Sequence, residues 1–183
     1  GCSGLTSIEI PAGVTSIGYL AFYGCSGLKS IVVEAGNTVY DSRDNCNAII
    51  EKETNTLIQG CKNTKIPAGV TSIGEYAFSG CSGLTSIEIP AGVTSIGSEA
   101  FSDCSGLTSI VVEAGNTVYD SRDNCNAIIE KETNTLIQGC KNTKIPAGVT
   151  SIGSSAFSGC SGLTSIVVEA GNTVYDSRDN CNA

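Results

Sequence analysis

The sequence contains no histidine, no methionine and no tryptophan, and only ten of its 183 residues are lysine or arginine. Without histidine the commonest general base is missing, and with it the Ser-His-Asp and Cys-His arrangements and most zinc sites. Ten basic residues against 18 acidic ones, a formal charge of −8, disfavour a nucleic-acid partner, whose phosphates require clustered Lys and Arg. No apolar run approaches the roughly 18 residues that span a bilayer. The opening Gly1-Cys2-Ser3 shows neither the charged region nor the apolar core of an export signal, so no membrane insertion is expected in this fragment. Nucleotide-binding glycine motifs and the CxxC spacing of metal sites are also missing. Paired carboxylates remain as a catalytic device, but all acids except Glu75, Glu99 and Asp103 recur as repeated positions and none marks a pair. The chain is therefore read as no enzyme, with no catalytic residue, no cofactor and no metal.

What is abundant is repetition. Cys2, Cys25, Cys81, Cys104 and Cys160 all sit in the phrase [G/D]CSGL[T/K]SI, at spacings of 23, 56, 23 and 56 residues, a superperiod of 23 + 56 = 79. Residues 1–79 and 80–158 differ at seven positions, and 159–183 begin a third, partial copy. The chain opens and stops within the pattern, as expected of a piece of a longer protein with any export signal or anchor lying outside it.

Within the 23-residue unit, Ser7-Ile8-Glu9-Ile10 alternates polar and apolar, the period of a half-buried strand with Ile8 and Ile10 inward and Glu9 outward. Pro11-Ala12-Gly13 ends it, Val14-Thr15-Ser16-Ile17 reads as a second short strand, and Ala21-Phe22 as an apolar plug before the next turn. One such coil cannot bury its own Ile, Leu and Phe, so coils must stack. In the longer half EAGNTVYD replaces PAGVTSIG, putting Tyr40 in the slot of Ile17. Residues 46–61, and likewise 125–140, read as β-hairpin inserts around a loop at 52–55. The expected fold is mainly β, a leucine-rich-repeat solenoid with β-hairpin inserts, forming a single unit over 1–183.

The phrases LTSIEIPAGVTSIG, AF and GCSGL resemble the BspA-like class of bacterial leucine-rich repeats, over essentially the whole chain. The insert NTVYDSRDNCNAII…NTLIQGCKNT is similar to one recurring in that class. The resemblance implies a right-handed solenoid on secreted or bacterial cell-surface proteins, some of which act as adhesins. It names no ligand.

The cysteines divide into two sets. The five in the repeated turn phrase are read as small buried residues packed as free thiols in a ladder. Counting outward from the loop puts Cys46 opposite Cys61, and Cys125 opposite Cys140. Two readings stand for these: a disulfide, or separate buried thiols if the register slips by one residue. Cys181 is left without its hairpin partner. The segment Tyr40-Asp41-Ser42-Arg43-Asp44-Asn45 has some look of a calcium loop, but Arg43 at its centre and the lack of EF-hand spacing favour a turn.

Two surfaces are candidate binding sites. The exposed row of the main sheet is Glu9, Val32, Lys65, Glu88, Val111, Lys144 and Val167, either a ladder of cross-strand pairs such as Lys65 with Glu88, or a docking strip. A variable turn edge holds Tyr19, Leu20, Tyr23, Glu75 and Tyr76, where the copies differ. The expected function is a protein- or glycan-binding module of a secreted or surface protein with a role in adhesion. The alternative is a structural spacer or stalk that self-associates end to end.

Overall fold

The computed structural model describes residues 1–18 and 20–177. Tyr19, Cys181 and residues 178–180, which end a further copy of the Asp41–Asn45 sequence, lie outside the described residues. The chain is a β-solenoid of about seven turns with almost no helix. In the first period the strands are β1 (Ser7–Ile10), β2 (Ser30–Val33), β3 (Tyr40–Asp41), β4 (Ile49–Glu51), β5 (Thr56–Gln59) and β6 (Ser72–Ile73). The second period adds β7 (Ser86–Ile89), β8 (Ser95–Ile96), β9 (Ser109–Val112), β10 (Tyr119–Asp120), β11 (Ile128–Glu130), β12 (Thr135–Gln138), β13 (Lys144–Ile145) and β14 (Ser151–Ile152); β15 (Val167–Val168) follows.

Two ladders run along the stack. On one, β1 pairs in parallel with β2, β7 with β9, and β13 with β15. On the other, β3-β4-β5-β6-β8 form one sheet and β10-β11-β12-β14 a second. The hairpin inserts are thus not excursions from the solenoid. β4 and β5 pair antiparallel with each other, yet each serves as a rung, with β3 on one side and β6 on the other.

Burial follows the alternation. Ile31, Ile49, Ile50, Leu57, Ile73, Phe78, Leu84 and Ile89 are essentially fully buried, each contributing about 1.5–3 kcal/mol of apolar burial. The Phe78 and Phe101 rings stack at 5.1 Å with an 11° interplanar angle, so the plugs of adjacent coils continue one another.

One device could not be read from periodicity. Asn37 is buried, and its Nδ2 donates to the carbonyls of Pro11 and Val14 on the preceding coil, each at 2.9 Å. Its Oδ1 accepts from the backbone N–H groups of Val39 and Tyr40. Asn116 and Asn172 repeat the donation to Pro90 and Val93, and to Pro146 and Val149. At these coils a side-chain amide replaces backbone pairing, and among the described residues neither ladder sheet joins Ile17 to Tyr40 or β8 to β10.

The hairpin register decides between the two readings of its cysteines. β5 carries a bulge: Ile50 faces Leu57 but Ile49 faces Gln59, leaving Ile58 as the extra residue. The slip moves Cys61 opposite Asn47, whose carbonyl accepts from the Cys61 Sγ at 3.4 Å, while the Cys46 Sγ donates to the Ala48 carbonyl. Cys46, Cys61, Cys125 and Cys140 are free, buried thiols rather than two disulfides. Cys61 and Cys140 instead join the turn ladder. Each of Cys2, Cys25, Cys61, Cys81, Cys104, Cys140 and Cys160 accepts at its carbonyl from the N–H three residues on. In the hairpin coil Thr64 takes the leucine slot, accepting from Cys61 N and donating to Asn47 O, both at 2.7 Å.

Candidate functional site

The exposed row of the first ladder is formed only in pairs. Glu9 faces Val32, Glu88 faces Val111 and Lys144 faces Val167, and the valines are about half exposed. Lys65 breaks the row: residues 64–66 form no strand, and a gap of about 330 Å³ lies between them and Ser86–Glu88. The expected Lys65–Glu88 pairing is not made. Among the described residues the ion pairs are Arg43–Asp41 and Arg122–Asp120, each 2.8 Å. Arg43 grips both carboxylate oxygens of Asp41 and reaches Asn55 Oδ1 in the hairpin loop at 3.0 Å. The Asp41–Asn45 segment is accordingly a turn clamped by arginine.

The variable edge is different. Leu20 and Tyr23 from one turn, and Glu75 and Tyr76 from a turn some 50 residues later, line a single cleft of about 230 Å³. Its frame is supplied by Ile17, Phe22, Tyr40, Glu51, Ile58 and Gln59. The cleft opens where the second ladder is interrupted between Ile17 and Tyr40, and where the hairpin strand β5 replaces a further Ala-Phe turn. Gln59 closes its far side, with Nε2 donating to the Gly60 carbonyl at 2.8 Å and the Ala77 carbonyl at 3.3 Å.

A second cleft, of about 260 Å³, lies one period on. Its frame residues Ile96, Phe101, Tyr119, Glu130, Ile137 and Gln138 are the 79-residue counterparts of the first set. Its rim is changed, to Ser98, Glu99, Ser154 and Ser155. Of the seven positions at which the copies differ, four line the first cleft and their counterparts or neighbours line the second; the exceptions are Gly24/Asp103 and Lys29/Thr108. Tyr19, the counterpart of Ser98, lies outside the described residues. The rims touch through the backbone, Tyr76 N–H donating to the Ser98 carbonyl at 3.1 Å.

The rims are conformationally costly. Leu20, Tyr76, Glu99 and Ser155 sit at φ of 56°, 55°, 51° and 60°, the left-handed region that favours glycine. Elsewhere such positions are taken mainly by Gly, Asn or Asp, as at Gly36 and Asn55. Burial pushes the Tyr119 hydroxyl up, opposed by a hydrogen bond to the Ile96 backbone and reinforced by the Glu130 carboxylate. Glu51 and Glu130 are half-buried, each accepting from the hydroxyl of the threonine three residues on at 2.6 Å.

A profile of the BspA type Leucine rich repeat region matches in six copies over residues 1–46 and 48–178. The chain belongs to the BspA-type leucine-rich repeat family. Three solved structures resemble this BspA-type solenoid. The pneumococcal vaccine antigen PcpA matches 91% of the chain at 23% identity with a TM-score of 0.56. A leucine rich cell surface protein of Faecalibacterium prausnitzii matches 89% at 26% identity with a TM-score of 0.47. A leucine-rich repeat protein of Eubacterium ventriosum matches 90% at 20% identity with a TM-score of 0.49. The BspA-type chain spans 40%, 60% and 49% of these three proteins. No curated protein matches it in sequence.

Proposed function

We propose that the chain is a non-enzymatic binding module of a secreted or bacterial cell-surface protein, with a role in adhesion to an extracellular protein or glycan. The carrying observation is that substitutions between nearly identical copies concentrate on the rim of one repeated cleft while its frame is kept. A binding site diversifies in this way, holding its architecture and changing its contacts. Side chains retained at left-handed rim positions support the same reading, because strain of this kind collects at functional sites. The surface setting accords with membership of the BspA-type family.

The test is binding to an array of extracellular-matrix proteins and glycans, comparing the chain with a version carrying one more 79-residue copy. Saturable binding that strengthens with copy number and weakens on Tyr23→Ser or Tyr76→Ser supports the module. The second reading, a spacer that associates end to end, is favoured by the unchanged sheet row, where Glu9/Glu88 and Val32/Val111 are identical. Concentration-dependent light scattering with no array binding would select it.

A further inference from the structure

Resting on the reading of the clefts as binding sites, we infer that each receives one lysine or arginine side chain from an extended segment of a partner protein. Size comes first. At about 230 and 260 Å³ the clefts fall below the roughly 300–1,000 Å³ of sites that enclose drug-sized ligands, and suit one long side chain better than several sugar rings.

Charge then selects the side chain. Glu51 and Glu75 line the first cleft, Glu130 and Glu99 the second, and neither described lining contains Lys or Arg. Glu51 and Glu130 are part of the frame. The other acid changes place: Glu75 becomes Ser154, while Leu20, on the opposite rim, becomes Glu99. Two carboxylates are kept through substitutions that move one of them across the cleft, which is the pattern expected if the occupant is a cation. The lysines that follow the frame glutamates in sequence are otherwise engaged: the Lys52 ammonium donates to the Asn37 carbonyl and the Lys131 ammonium to that of Asn116. Glu51 Oε2 is held by Thr54, leaving Oε1 for a ligand.

The apolar lining suits the stem of such a side chain. Ile17, Phe22 and Ile58 cover methylenes while the charged head meets the carboxylates. In the first cleft Tyr23 and Tyr76 add aromatic faces for cation–π contact, which the serines of the second do not. The first cleft therefore binds a basic side chain more tightly than the second. The net charge of −8 adds long-range attraction.

The experiment is an NMR titration of the chain with the capped peptide Gly-Gly-Lys-Gly-Gly, alongside peptides in which norleucine or acetyl-lysine replaces the lysine. The expected result is saturable shifts at both clefts with the lysine peptide, largely lost with the two uncharged analogues. Glu75→Gln should weaken the first site, and Glu99→Gln the second, by about two- to fivefold, the scale of one exposed ion pair. Both substituted residues are exposed, so folding is not at stake, and Glu9→Gln on the sheet row serves as the control that changes nothing. Equal binding of the norleucine peptide, no shift at either cleft, or no effect of the two substitutions overturns the inference. If array binding that depends on Tyr23 and Tyr76 persists in Glu75→Gln and Glu99→Gln, the module reading stands and the basic side chain alone is wrong; a glycan captured by that array has the same consequence.

Discussion

Asn37 holds the Pro11 carbonyl at 2.9 Å across the gap between two coils, doing with a side chain what the ladder does elsewhere with backbone. Asn37→Ala removes two donors and one doubly used acceptor from a buried site, stranding carbonyls and N–H groups that cost about 1–3 kcal/mol each when unsatisfied. With partial rehydration the expected loss is about 3 kcal/mol for Asn37→Ala or Asn116→Ala, a fall in melting temperature of roughly 6–12 °C. Thermal unfolding followed by circular dichroism checks it; a change below 2 °C would mean the amide is dispensable.

Gly60 is fixed by its neighbour. A Cβ there would lie 2.2 Å from Phe78 Cε1, and at Gly139 it would lie 2.4 Å from the same atom of Phe157. Gly60→Ala is expected to cost about 1–3 kcal/mol by overpacking. Phe78→Leu, which shortens the opposing side chain, should make the double variant lose less than the sum of the singles. Chemical denaturation of the four proteins measures the coupling, and strict additivity would show that the ring moves aside freely.

The buried thiols set an alkaline limit. Burial pushes Cys81 up to about 12 and Cys125 up to about 11, and raises Cys104 as well. A thiol whose folded value is raised is protonated in the folded chain where the unfolded chain has already lost the proton. Its contribution is complete below about pH 9 and is lost as pH rises from there through the folded values. Stability should hold from pH 7 to 8.5 and fall steadily between pH 9 and 11. Substituting Cys81 and Cys125 by Ala should lower stability at neutral pH and flatten that fall. In native protein at pH 8 a thiol reagent should modify exposed Cys2 quickly and Cys81 and Cys104 only on unfolding.

At the rims, stability and binding are expected to trade against each other. Leu20→Gly and Glu99→Gly relieve left-handed backbone at φ of 56° and 51° and remove exposed side chains, so each should stabilise by up to about 1 kcal/mol. Both should weaken ligand binding at their own cleft. A variant more stable and equally competent to bind would remove the rim from the site.

The alternating Ile8-Glu9-Ile10 and the 23- and 56-residue spacings made the coil, the stacking and the hairpins legible, because each depends on local period. The positions of the copy-to-copy differences also marked the edge that forms the cleft rims. What local period could not carry was juxtaposition. Residues 20–23 and 75–76 meet only because β3, β4 and β5 occupy intervening rungs, which depends on how the hairpin stacks. The two readings of Cys46 and Cys61 stayed open for a related reason: one extra residue, Ile58, within a four-residue strand displaces everything beyond it. The signal for Asn37 was present as the Asn of EAGNT in all three copies, but its partners lie more than 20 residues away.

Because the hairpin strands are rungs, the molecule is a ruler. From β3 to β8 the second ladder advances four bonded steps, through β4, β5 and β6, or roughly 19 Å at about 4.8 Å per step, before the unpaired step to β10. Each added 79-residue copy should repeat that mark, so a ligand with its own regular spacing would be selected by how well its period matches this one.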